Sequence, residues 1–149
     1  MDLYIVRHGK AARDSPTGRD EDRPLKGRGR RQAEWLGKTL LEARPTPARI
    51  LTSSIDRAIE TARIIQSALG CPLETDQRLR TGCSAGQALG AIDERAELNL
   101  IVVGHNPQLS LLVRSLAGDS TAELRTGQCA HIELIQGRGR QVDLLRMPD

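Results

Sequence analysis

The chain has 149 residues, 38% of them apolar and 28% charged, which is the usual length of one domain and enough to bury a core without metal or disulfide staples. Basic side chains number 22, of which 19 are Arg, against 19 acidic ones, for a net charge of +3, and no apolar run approaches the roughly 20 residues that span a bilayer, so membrane insertion is excluded. One Trp, one Tyr and no Phe leave almost no platform on which nucleic-acid bases could stack, which argues against a nucleic-acid partner.

Leu3 to Val6 is a short apolar run with β-branched and aromatic members, a buried strand that stops at Arg7-His8-Gly9. Residues 10 to 24 are polar and close on Pro24. From Gly27 to Arg44, Ala33, Leu36, Leu40 and Leu41 recur at helical spacing, and Pro45 and Pro47 end the element. Ile50 to Thr52 reads as a second strand. Ser54 is placed to cap the next helix, whose stripe Ile55, Ala58, Ile59, Ala62, Ile65 and Leu69 keeps the 3.6-residue period until Gly70. Pro72 to Thr75 is a short strand, a Gly-containing loop covers about 80 to 84, and Ala85 to Glu97 is a weaker helix with Gly86 and Gly90 inside it.

Leu98 to Val103 is nearly continuous Leu, Ile and Val, the pattern of a parallel strand covered on both faces. It runs into Gly104-His105-Asn106-Pro107, where Asn106 as cap and Pro107 at the first helical position start a helix with the stripe Leu109, Leu112, Val113 and Leu116, ended by Gly118. Ala130 to Ile135 and Gln141 to Leu145 form a hairpin joined by Gly137-Arg138-Gly139. Strands alternating with helices predict a three-layer α/β sandwich, a single domain over 1–149. Its sheet is mainly parallel, with helices on both faces, a C-terminal hairpin and a site outside the carboxyl ends of the strands.

That placement gathers the chemistry. Arg7 and His8 leave the first strand, Arg57 lies in the first turn of the helix after the second, and His105 leaves the Leu98 to Val103 strand. Two guanidinium groups and two imidazoles converge on one edge, beside helix N-termini that favour anions, and such a pocket suits a phosphoryl group. His131 lies inside a predicted strand without a motif and reads as structural. Cys71, Cys83 and Cys129 are odd in number and widely spaced, which gives neither a zinc pattern nor a disulfide framework. The N-terminus lacks the features of a secretory signal, and a reducing cytoplasm is the expected home.

Arg7-His8-Gly9-Lys10-Ala11, Arg23-Pro24-Leu25 with Gly29 and Ala33, Ser53-Ser54-Ile55-Asp56-Arg57-Ala58-Ile59-Glu60-Thr61-Ala62, and Gly104-His105-Asn106-Pro107 together resemble the histidine phosphatase, or phosphoglycerate-mutase-like, superfamily from end to end. The short length and the Arg-Pro-Leu segment look most like its SixA-type phosphohistidine phosphatase branch. The resemblance implies that His8 is a nucleophile carrying the phosphoryl group covalently. Arg7, Arg57 and a protonated His105 would bind the phosphate oxygens, with no metal and no cofactor. Larger members place a carboxylate after the third strand as general acid. Leu79 to Ser84 contains none, and Asp76 is the nearest candidate. A missing acid favours a phosphoramidate over an alkyl phosphate.

The leading expectation is therefore a phosphatase acting on phosphohistidine in a protein, for which a histidine-containing phosphotransfer protein is one candidate partner. The alternatives are a phosphomonoesterase for a small metabolite and a noncatalytic phosphate-binding module. A monomer is expected. Lys10, Arg13, Arg19, Arg23, Lys26, Arg28, Arg30 and Arg31, interspersed with Asp14, Asp20, Glu21 and Asp22, read either as an electropositive rim or as a solvated loop and helix face.

Overall fold

Leu3, Tyr4, Ile5 and Val6 are all buried, yet successive side chains of this strand enter different cores. Leu3 and Ile5 pack with Ala88, Ile92, Leu109 and Leu112 on one side. Tyr4 and Val6 pack with Leu36, Leu40, Ala58 and Ile65 on the other. An apolar run with no polar alternation is what a strand between two helical layers requires. The computed structural model describes residues 1–43, 48–95 and 99–149, and over them this doubly covered sheet organises the chain.

The strands are β1 (Asp2–Arg7), β2 (Ala48–Thr52), β3 (Leu73–Thr75), β4 (Asn99–Gly104), β5 (Cys129–Ile135) and β6 (Arg138–Leu145). The helices are α1 (Gly27–Ala43), α2 (Asp56–Leu69), α3 (Ala85–Asp93) and α4 (Gln108–Ala117), with single 3-10 turns at Asp20–Asp22 and Gln77–Leu79. The sheet order is β3-β2-β4-β1-β5-β6. The first four of these are mutually parallel, and β5 and β6 run antiparallel as the C-terminal hairpin. Helices α1 and α2 cover one face, α3 and α4 the other, as the three-layer expectation has it.

The register matters for function. Arg7 on β1 pairs with Gly104 on β4, so His8 and His105 are the next residues out of two hydrogen-bonded neighbours, and the His8 amide continues the ladder by donating to the Gly104 carbonyl at 3.1 Å.

Several local expectations change. Ser54 does not cap α2. The N-cap is Ile55 without a side-chain bond, and it is the Ser53 hydroxyl that accepts from the Ile55 amide, while the Ser54 hydroxyl lies between Arg80 and Gln77. Leu41 is half exposed, so the α1 stripe is narrower than expected. Helix α3 ends at Asp93, short of Glu97, with Glu94 and Arg95 in a turn. The hairpin turn is Gln136-Gly137, both with positive φ (53° and 78°), which is the geometry a two-residue connection demands. Arg138 and Gly139 therefore belong to β6, where Gly139 passes so close to α4 that a Cβ would lie 2.4 Å from the Leu116 carbonyl oxygen. Asn106 supports α4 as expected, accepting from the Ser110 amide and hydroxyl, although the N-cap position itself is Pro107. The expected roles of Arg44, Pro45, Pro47 and Leu98 lie outside the described residues.

Candidate active site

The loop after β1 is held from three directions. The Gly127 amide donates to the Arg7 and His8 carbonyls at 3.1 and 2.9 Å. The Gly9 amide donates to the Thr61 hydroxyl on α2 at 3.1 Å. The Lys10 amide donates to the side-chain oxygen of Gln32 on α1 at 2.9 Å, and the Gln32 amide group donates to the Thr126 carbonyl at 3.3 Å. Gln32 is 7% exposed and links two loops whose backbone groups would otherwise be unpaired. Gly9 meets Gly29 of α1 with no room for a side chain on either: a Cβ on Gly9 would sit 2.5 Å from the Gly29 carbonyl oxygen.

Arg7, His8, Arg57 and His105 meet as anticipated. All four line one pocket of about 290 Å³, together with Lys10, Ala11, Arg23, Thr81, Asn106 and Thr126. The His8 and His105 ring centroids are 5.2 Å apart, tilted by 56°. His8 Nδ1 lies 2.7 Å from the Gly9 carbonyl oxygen. A carbonyl only accepts, so Nδ1 carries the proton and Nε2 presents its lone pair, which receives the Arg57 Nε–H at 3.3 Å. Burial, and then the charges of Arg57, Arg7 and Arg23, push the His8 imidazolium down to about 4 against the opposing pull of the Gly9 carbonyl. His8 is therefore neutral near pH 7.

His105 is shifted the same way as His8. Burial, followed by His8 and Arg57, pushes it down to about 3, so this ring is neutral as the groups stand, and a phosphate dianion against it would act in the opposite direction. Its Nε2 is 2.8 Å from the Ser53 hydroxyl, while Nδ1 is buried and without a partner.

Arg57 is 4% exposed and reaches past His8 to the 3-10 turn, where its terminal nitrogens donate to the Asp20 carbonyl at 2.9 Å and the Asp20 carboxylate at 3.1 Å. Hydrogen bonds and charge from Arg57 and Arg23 hold the Asp20 carboxyl below its ordinary value, overcoming the upward push of partial burial. Arg23 enters the pocket while its Nε donates to Asp20 at 2.9 Å. Arg23, expected only as part of an electropositive rim or a solvated face, thus lines the phosphate pocket itself. Thr81 and Thr126 were missed because both sit in loops without periodicity.

Asp76 is not positioned as a general acid. It accepts from the Arg78 amide and guanidinium, lies near Arg95, and is held below the usual carboxylate range by Arg78. Among the described residues that line the pocket, none is Asp or Glu. His131 stands apart, stacked on Tyr4 at 4.3 Å and 2.9 Å from the Asp2 carboxylate. The basic segment is partly neutralised: Arg19 pairs with Glu21 and Arg23 with Asp20 inside it, and Arg30 pairs with Glu60 of α2. Among the described residues no cluster of three metal-ligating side chains occurs, all three cysteines are free, and no helix is long and apolar enough to cross a membrane.

The profile of the histidine phosphatase superfamily (branch 1) matches residues 3–84. An uncharacterized protein of Picosynechococcus sp. (strain ATCC 27264 / PCC 7002 / PR-6) is 31% identical over 145 residues, covering 94% of this chain and 88% of that one. The structure of the protein histidine phosphatase SixA complexed with tungstate superposes with a TM-score of 0.87 at 25% identity, covering 98% of this chain and 97% of that one. The alpha-ribazole phosphatase of Shigella flexneri, at 17% identity and a TM-score of 0.71 over 95% and 94% of the two chains, shares the fold. The noncatalytic alternative falls away. The chain belongs to the histidine phosphatase superfamily, resembles its SixA-type branch in architecture, and is a phosphatase.

Proposed function

We propose that the protein removes phosphoryl groups from phosphohistidine in a protein, through a covalent intermediate on His8 and without a metal. The observation that carries this reading is a pocket with a neutral, oriented imidazole, three guanidinium groups and, among the described residues that line it, no carboxylate. His8 Nε2 attacks phosphorus, and the bond from phosphorus to the substrate's imidazole nitrogen breaks with its electron pair leaving on that nitrogen. Neutral imidazole departs when the substrate's other ring nitrogen carries a proton, which solvent supplies because imidazole protonates with an ordinary pKa of about 6.5, whereas an alkoxide needs a positioned acid worth about 100-fold or more. Arg7, Arg23 and Arg57 neutralise the charge on the three peripheral oxygens, and the unpartnered His105 Nδ1 offers a further polar contact. Arg57 Nε–H occupies the His8 lone pair, so an incoming phosphoryl group takes over that contact and Arg57 follows onto its oxygens. Water then attacks the phosphohistidine at His8 and releases inorganic phosphate.

Two measurements test this reading. Incubation with a phosphodonor should give an acid-labile, alkali-stable phosphoenzyme that His8→Ala abolishes. In a substrate panel, phosphohistidine should be hydrolysed far better than an alkyl phosphate. Efficient hydrolysis of alkyl phosphates would overturn the substrate assignment, and a fully active His8→Ala would overturn the mechanism.

A further inference from the structure

Beside the phosphate pocket runs a second groove, of about 400 Å³, that shares Lys10 and Thr126 with it and continues past Gln32 to Arg28, Arg125 and Arg146. Four cationic side chains line it against one acidic side chain, that of Asp149. Elsewhere in this region several cations are matched: Arg19, Arg23 and Arg30 each pair with an acid of the chain, and Arg80 is held by Glu21 at 2.8 Å. Here the balance is not met. Arg28 approaches Asp149 only at 3.8 Å, and that carboxylate is fully exposed. Among the described residues Lys10, Arg125 and Arg146 form no ion pair.

The walls of the groove are built rather than incidental. Buried Gln32 ties the Lys10 loop to the Thr126 loop. Gly127 turns against it with φ +73°, where a Cβ would sit 2.4 Å from the Gln32 side-chain carbon. The groove thus keeps a fixed relation to His8, whose carbonyl accepts from the same Gly127 amide. An uncompensated cationic channel opening from the reactive pocket raises the local concentration of polyanions and orients those that carry the reactive group.

We infer that this groove docks an acidic segment of the protein that carries the phosphohistidine; the inference rests on the phosphohistidine reading above. A polyanionic nucleic acid fits less well, since Tyr4 is buried under His131 and Trp35 packs into the core beneath α1, which leaves charge without stacking.

The test compares two phosphohistidine peptides of equal length, one flanked by Asp and Glu and the other by Ser and Gln, on the wild-type protein and on Arg125→Gln/Arg146→Gln. Both replaced residues are groove residues outside the phosphate pocket. The ratio of kcat/KM, acidic over neutral, should be about tenfold at low ionic strength, the value of a few exposed charge pairs. It should fall toward unity in the double variant, and also in wild type at about 1 M salt, where the screening length is about 3 Å. Equal kcat/KM for both peptides in wild type, or a ratio the double variant does not change, overturns the docking inference while leaving the phosphohistidine reading intact. Should neither phosphopeptide turn over, that reading fails, and the groove is then decided by the Kd of the same labelled peptides without the phosphoryl group. Tighter binding of the acidic one, weakened in the double variant, upholds the groove as a docking site for acidic segments, and equal binding overturns that too. A single-stranded oligonucleotide that binds more tightly than the acidic peptide would also overturn it.

Discussion

Replacing Gly29 by Ala perturbs the site from behind, without touching a pocket side chain. A Cβ at this position would lie 2.1 Å from the Lys10 carbonyl oxygen and 2.8 Å from the Lys10 amide nitrogen, both backbone atoms that cannot rotate away. Reaching ordinary contact needs roughly 1 Å of separation between α1 and the loop that carries His8. Overpacking of this kind costs about 1–3 kcal/mol, and the helical preference of Ala over Gly returns about 1 kcal/mol at most. A net loss of about 1 kcal/mol lowers Tm by about 2–4 °C in a chain of this size. The same displacement moves His8 relative to Arg57 and His105, and a shift near 1 Å costs about 100-fold in rate. Gly86→Ala is the control, because its Cβ would meet nothing nearer than the Ser84 hydroxyl at 3.8 Å. It should raise stability by up to about 1 kcal/mol with activity unchanged. Thermal unfolding followed by circular dichroism, with kcat/KM on an aryl phosphate, reads both effects. A Gly29→Ala protein with wild-type Tm and turnover would refute the close-approach argument, as would a Gly86→Ala protein that loses as much.

Three further outcomes follow from the same geometry. His8 is neutral in the folded chain, with a pKa of about 4 against the ordinary 6.5, so the unfolded chain binds the extra proton between those values and stability contributed by this group falls as pH drops from about 6.5 to 4. His8→Gln should flatten that part of the stability profile, read as the difference from wild type in urea midpoints, and an unchanged slope would mean that the group is not buried as described. Arg57→Lys keeps the charge but can reproduce only part of the contacts to His8 Nε2 and to the Asp20 carbonyl and carboxylate. It should lower kcat by about 100-fold or more, and a loss below about fivefold would remove the Arg57 guanidinium from the mechanism. Asp76→Asn should cost about 1 kcal/mol of stability through its weakened pairing with Arg78 while leaving kcat within about twofold; a 100-fold fall would make Asp76 the acid after all.

The sequence was most informative where covalent spacing and periodicity coincide. The β4 run of Leu100 to Val103 and the polar stop at His105 placed a central strand and its exit, because a strand covered on both faces has no polar side to disguise it. Arg7, His8 and His105 followed from strand ends, and Arg57 from the first turn of the helix after β2. What remained hidden depends on tertiary partners. Gln32 sits in a helix, where a polar residue ordinarily faces solvent, and only the arrival of Lys10 and Thr126 makes it an interior tie. Ser53 and Ser54 are chemically identical neighbours, and which of them meets His105 is decided by the register of β2 and β4, not by any local signal. The long charged stretch before α1 read as one undivided field. Pairing in space sets Arg19, Arg23 and Arg30, each matched to an acid, apart from Lys10 and Arg28, which face the groove.

The two histidines follow residues paired across adjacent parallel strands, so their separation is inherited from the backbone lattice of the sheet, where neighbouring strands lie about 4.8 Å apart. Nearly a hundred residues intervene between them along the chain, yet none of that length sets the ring spacing. Insertions or deletions in the connecting loops can therefore reshape what reaches the pocket while leaving the reactive pair in place. Substrate choice and phosphoryl chemistry are in this sense separately adjustable parts of one chain, the first written in loops and the second in strand pairing.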